Sequence, residues 1–345
     1  MIKKYNQYIK ENDHFDIDPY GEEDWEKDTM LPILWLAKRT GLPYDQIKVL
    51  YCDEEETGGQ LINLEGIENL TNLEKLYCQY NEITNLNSIE NLTSLEVLEC
   101  HINQLTHLYG IENLINLREL SCHNNRLISL DGLENLINLE QLLVFDNQLT
   151  TLKNLKNLNK LNYFDCSCNQ IINLNGIENL LSLKELYFTE NSLSTLNGIK
   201  NLINLEFLSC TSNKLTSLND IENLTNLKEL YCANNKMKNL DGIENLINIK
   251  RLSCGFNELT DLNNLWKLTS IEDLFCSDSN LKSLDGIENL INLRELDCTN
   301  NQLTNLDGIE NLTNLKNLSY SNNQFSKQYN IYLENYCKQK NINVY

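Results

Sequence analysis

The chain has 345 residues, 41% of them hydrophobic and 22% charged, enough to bury a large core without a disulfide or metal staple. Its formal net charge is −21, from 28 basic and 49 acidic residues. Such a surface repels phosphate backbones and anionic lipid heads, so the expected partner is neither nucleic acid nor membrane but a protein, one with a basic patch fitting best.

The N-terminus opens on Met1-Ile2-Lys3-Lys4, and Tyr5–Lys10 supplies no apolar core of a signal peptide. Met30–Ala37 is apolar but too short to span a bilayer. A cytoplasmic protein is the expectation. Acidity is concentrated over residues 11–28, with nine acids against Lys27, and again at Asp53, Glu54, Glu55 and Glu56. These stretches read as a solvated cap and loop, with a docking patch as the alternative. Glu22–Thr40 is predicted mainly helical, stopping at Gly41, with Pro32 opening a second helix. Leu31, Ile33, Leu34, Trp35 and Leu36 are then placed to cover the first coil of the segment beyond.

From Ile47 onward the chain is repetitive. Stepping by 22 from Asn81 meets Asn at every position to Asn323 except Ser279. Leu86 to Leu306 and Leu92 to Leu312 form two further columns in the same step, without exception. A full unit reads Leu-x-x-Leu-x-Cys-x-x-Asn-x-Leu-x-x-Leu-x-Gly-Ile-x-Asn-Leu-x-x. Leu-x-Cys alternates with period two and predicts a short strand; stacked units would pair these strands into one parallel sheet. Asn carries donor and acceptor, so it suits the backbone groups left where the strand turns away. Ile111, Leu114 and Leu117 recur every third residue, which suits 3₁₀ turns. Strands inside and 3₁₀ turns outside bend the chain into an arc. A glycine column runs from Gly66 to Gly308, with Ser88, Asn154, Asp220 and Asn264 as replacements. It predicts positive φ throughout, Ser88 being the least comfortable member. Ile47–Cys52 matches the strand of a first unit, which carries a four-residue insertion near Thr57-Gly58-Gly59. At the far end, Ser326–Lys340 predicts an amphipathic helix with Tyr329, Leu333 and Tyr336 on one face, and Asn341–Tyr345 a short strand.

Leu-x-x-Leu-x-Cys-x-x-Asn resembles the leucine-rich-repeat signature, with Cys where Leu is usual. The 22-residue length and the Gly-Ile-x-Asn-Leu half resemble the internalin-type and phosphatase-regulator-type subclass. The resemblance covers about residues 47–325. It implies an α/β repeat solenoid of about thirteen units: a leucine-rich-repeat arc with a concave parallel β-sheet, convex 3₁₀ turns and helical end caps at 1–46 and 326–345. It also implies a protein-interaction role.

Nine of the twelve cysteines fall in one column, from Cys78 to Cys298, which Val144, Phe188 and Tyr320 share. Apolar replacements mark that column as buried packing. Cys166-x-Cys168 is not a metal motif, because the two positions differ in direction. His101 and His123, with Glu99 and Glu119 beside them, are the one candidate zinc set; exposed concave residues are the plainer reading. No phosphate loop, His-Glu-x-x-His or nucleophile constellation is present in the sequence, so neither enzyme activity nor a cofactor is expected.

Side chains alternating with the Leu and Cys columns line the concave sheet, where the repeat does not dictate them. Large ones gather mid-chain: Leu143, Phe145, Tyr163, Tyr187, Phe207 and Tyr231, with Asp165, Glu185 and Glu229 among them. Exposed aromatics clustered in this way act as binding anchors, and the carboxylates suit Lys or Arg. The expectation is a non-catalytic module holding a protein partner there. The alternatives are a structural or self-associating solenoid, in which these rings pack on one another, and a metal-dependent site at His101 and His123.

Overall fold

A computed structural model describes residues 32–345. The acidic stretch at 11–28, Leu31 and the first part of the Glu22–Thr40 helix lie outside the described residues. Helix α1 (Pro32–Arg39) does start at the proline, and Gly41 comes next but one after it at φ 71°. Ile33, Leu36 and Ala37 of α1 are buried against the first strand; Leu34 and Trp35 are half-buried.

Fourteen parallel strands form a single sheet in chain order. Strand β1 (Val49–Tyr51) is succeeded by β2 (Lys75–Tyr77), and three-residue strands then recur every 22 residues to β13 (Asn317–Ser319). β14 (Asn343–Val344) is the last. The register has no slip: Leu50 faces Leu76, Leu76 faces Leu98, and so on to Leu318 opposite Val344. Because β1 and β14 each have one neighbour, the sheet stays open, and the repeat grows as a solenoid arc. The four-residue excess between β1 and β2 forms a short helix, α2 (Glu54–Thr57). Its N-cap Asp53 accepts the Glu56 N–H and its C-cap is the left-handed Gly58.

The return half of each coil closes on i to i+3 bonds, as from Leu114 N to Ile111 O and from Leu117 N to Leu114 O at 3.0 and 2.9 Å. Leu and Ile columns from all coils merge into one continuous core. Helix α3 (Lys327–Lys340), capped by Ser326, buries Leu333 and Cys337 at its far end, and Tyr329 and Tyr336 pack partly against it.

Asparagine ties coil to coil. Asn103 donates from Nδ2 to Cys78 O of the preceding coil and to Cys100 O and His101 O of its own, while its Oδ1 accepts the Ile83 N–H at 2.8 Å. Asn125, Asn147, Asn169 and Asn191 repeat the pattern. The residue just before each ladder position is left-handed, with φ between 53° and 57° from Tyr80 to Asn322. Ile102, Phe256 and Glu190 are among them. That conformation costs about 1–2 kcal/mol in a non-glycine residue; donor bonds of the adjoining Asn support it in most coils, and Asp278 keeps it before Ser279 without them.

The glycine column departs from expectation at its replacements. Its glycines do have positive φ, from 95° at Gly308 to 121° at Gly198. Ser88, Asn154, Asp220 and Asn264 do not. Each instead sits inside a 3₁₀ helix: Asn87–Ile89, Lys153–Leu155, Asn219–Ile221 and Asn263–Leu265. Without glycine the chain changes turn rather than adopting a strained one. The next coil then closes in. A Cβ on Gly110, Gly176, Gly242 or Gly286 would collide with the backbone of the preceding leucine, at 2.6 Å from Leu262 O in the case of Gly286.

Candidate functional site

From β1 to β13 each strand sends its middle Leu or Phe inward, together with the residue two positions on, which is Cys in most coils. The three alternate side chains face the concave side. Tyr163, Phe207 and Tyr231 are half-buried there, as are Phe145, Asp165, Glu185 and Glu229. Leu143 and Tyr187 are not exposed, as the sequence suggested, but buried at 6% and 8%. For Tyr187 the reason is lateral ring packing. Tyr163, Tyr187, Phe207 and Tyr231 form a zigzag across four strands, with centroid separations of 5.3, 4.5 and 5.2 Å.

Carboxylates stiffen the zigzag. Tyr187 Oη donates to Glu185 Oε2 and Tyr231 Oη to Glu229 Oε2, both at 2.8 Å. Each glutamate keeps a second oxygen for another donor. Burial pushes the Tyr163 and Tyr187 phenols well up and raises the Asp165 carboxyl, whose Oδ1 accepts the Ser167 N–H at 2.9 Å. Arg251 caps the row by pairing with Asp273 at 2.5 Å.

Phe145 belongs to a different stack. His101, His123 and Phe145 lie face to face at 4.2 and 4.0 Å. Glu99 Oε2 meets His101 Nδ1 at 3.1 Å, and Ser121 Oγ lies 2.9 Å from His123 Nδ1. Burial, with His101 adjacent, lowers the His123 pKa to about 3. The two histidines do come together, but as stacked rings. Glu119 makes no hydrogen bond to either, and no group of three or more His, Cys, Asp or Glu placed to hold a metal occurs among the described residues. The zinc reading therefore fails on geometry.

All twelve cysteines are free thiols. The nine-member column is fully buried, and Cys52 extends it at the N-terminal end. Burial raises most of these thiols, Cys210 to about 12. Cys168 is left-handed and half-buried, apart from the column. Two features lie outside the sequence-based expectations. One is a Tyr51–Tyr77 stack at 4.8 Å. The other is a second asparagine column on the edge where the chain enters the strands. There Asn116, Asn138, Asn204 and Asn226 donate to carbonyls of the preceding coil. Its 22-residue step was the available signal.

Known proteins share this architecture. The family described as leucine-rich repeats (two copies) matches residues 225–267 and 269–311. An internalin (inlF) from Listeria monocytogenes is 28% identical, with 87% of each chain covered and a TM-score of 0.81. A leucine-rich-repeat protein of Leptospira interrogans is 25% identical over 90% of this chain and 98% of its own, with a TM-score of 0.62. The functional domain of InlJ from Listeria monocytogenes, described as including a cysteine ladder, is 27% identical over 82% of this chain and 69% of its own, with a TM-score of 0.66. No curated protein sequence matches the chain. Coil geometry, the two matched segments and these likenesses support a leucine-rich-repeat assignment, with internalins among the structural neighbours. Domains of this kind are typically non-enzymatic protein-interaction modules. Among the described residues, no helix is long and apolar enough to cross a membrane.

Proposed function

We propose that the chain is a non-catalytic protein-binding module whose partner sits on the concave face, against Leu143, Phe145, Tyr163, Asp165, Glu185, Tyr187, Phe207, Glu229 and Tyr231. The observation that carries this reading is the zigzag of four rings held by Glu185 and Glu229. A prearranged aromatic row with half-exposed ends offers anchor surface at little ordering cost. The spare carboxylate oxygens favour a partner that presents Lys or Arg. The repeat over residues 47–325 and the C-terminal cap at 326–345 are the scaffold this reading gives that face.

A second reading has its own support. The rings satisfy one another along the sheet, which suits a structural or self-associating solenoid. The experiment is partner capture from the native cell, with wild type compared against Phe207→Ala/Tyr231→Ala, alongside sedimentation of the purified chain. Capture lost with folding intact supports the module. Unchanged capture, or an oligomer that the double variant dissociates, supports the second reading.

A further inference from the structure

On the edge where the chain enters the strands, the acidity of the molecule reverses. A groove of about 910 Å³ crosses five coils there, lined by Lys160, Lys184, Lys228 and Lys250 against a single acid, Glu206. Glu206 is already engaged by Lys228 at 2.5 Å. Lys250 reaches Glu272 at 3.3 Å and Lys160 meets Asn138 Oδ1 at 2.7 Å. Lys184 makes no ion pair among the described residues. In a chain of net charge −21, this is a local basic stripe, and exposed ammonium groups in a concave surface concentrate an anion.

The lining between the lysines decides what kind of anion. Asn204, Asn226 and Asn248 give their Nδ2 protons to Leu181 O, Ile203 O and Thr225 O at 2.8, 2.9 and 2.8 Å. Each amide is thereby oriented by one of its two N–H groups, leaving its second N–H and its Oδ1 without a hydrogen bond among the described residues. An amide that offers both C=O and N–H matches the peptide backbone, which presents the complementary pair. A ligand that matches both features carries carboxylates for the lysines and N–H groups for the amides. We infer that this flank binds an acidic polypeptide segment in extended form, lying across the coils. The lysines select an acidic ligand, and the amide row favours a peptide backbone over phosphates. Lys184 to Lys250 spans three coils, about 14 Å at ordinary strand spacing, within reach of a short acidic stretch. The site is separate from the concave face and does not depend on that reading.

The test is fluorescence anisotropy with a labelled oligoglutamate peptide, and with oligolysine and oligothymidylate of equal length. Oligoglutamate should bind and weaken with salt. Lys184→Glu/Lys228→Glu should lose about tenfold or more in affinity, and Lys184→Gln/Lys228→Gln a smaller factor. Lys236→Glu/Lys238→Glu makes the same change in net charge away from the groove and should keep wild-type affinity, as should Phe207→Ala/Tyr231→Ala. Melting of each variant reports that it is folded. Absence of oligoglutamate binding overturns the assignment. So does equal loss in the Lys236/Lys238 control, or oligothymidylate binding as tightly as the peptide.

Discussion

The Oδ1 atom of Asn301 accepts the backbone N–H of Leu281 at 3.0 Å. One coil earlier Ser279 holds the same position, and its hydroxyl is buried without a partner. Serine is too short to reach what asparagine reaches: an amide behind and carbonyls on two coils. Ser279→Asn should therefore complete the ladder and raise stability by about 1–3 kcal/mol, the worth of two or three ordinary hydrogen bonds. Chemical denaturation measures it. No gain would mean that the coil at 279 has relaxed into a different turn.

Glycines of one column should differ sharply in tolerance. Alanine at Gly308 meets only the Glu288 side chain and backbone, at 3.3 Å or more, so it faces mainly the cost of positive φ, about 1–2 kcal/mol. Alanine at Gly176 would also collide with Leu152 O. Gly176→Ala should thus cost at least about 3 kcal/mol in all, since the neighbouring 3₁₀ coil must shift. Paired melting curves for the two variants decide this; equal losses would show that the 3₁₀ coils are not the cause of the tight approach.

The sequence made some of this legible and hid the rest for physical reasons. Asn81 to Asn323 and the Leu columns could be read because each does one job in every coil. The insertion at Thr57-Gly58-Gly59 was visible as a slip of four in an otherwise regular step. Left-handed backbone at Ile102 and Phe256 was not, since those residue types do not signal it; Asp278 adopts it even before Ser279, so it belongs to the coil path. Nor was the ring zigzag. Tyr163 to Tyr187, Tyr187 to Phe207 and Phe207 to Tyr231 step by 24, 20 and 24 residues, on diagonals that a reading by columns of 22 passes over.

Acid should weaken the fold through His123. Its ring lies between His101 and Phe145, and its folded pKa falls from the ordinary 6.5 to about 3. Below pH 6.5 the unfolded chain takes up a proton that the folded chain refuses. The stabilisation is complete above that pH and drains away toward pH 3, at up to about 1.4 kcal/mol per pH unit. The side chains of Glu99, Glu119 and His101 lie nearby, so the difference between two proteins is the useful quantity. Between pH 7 and 5 wild type should lose about 2 kcal/mol more than His123→Phe. Parallel stability profiles would place His123 in water.

Core and concave positions should separate in a single experiment. Leu186 is fully buried, so Leu186→Ala should cost about 2–5 kcal/mol. Tyr187, its neighbour on the other face, was expected from sequence alone to be an exposed anchor. At 8% exposure and with a ring on either side it is not, and Tyr187→Ala should also destabilise. Tyr187→Phe keeps the ring and removes only the hydrogen bond to Glu185, so its loss should stay near about 1 kcal/mol. Tyr231 ends the zigzag and is half-buried, which makes it the cleaner probe of binding. If the row anchors a partner, Tyr231→Ala should cost about 1–3 kcal/mol of affinity while stability changes by about 1 kcal/mol or less. Calorimetry against the captured partner, with denaturation of the same samples, gives both numbers. Affinity that tracks stability through the whole series would assign the rings to the scaffold instead.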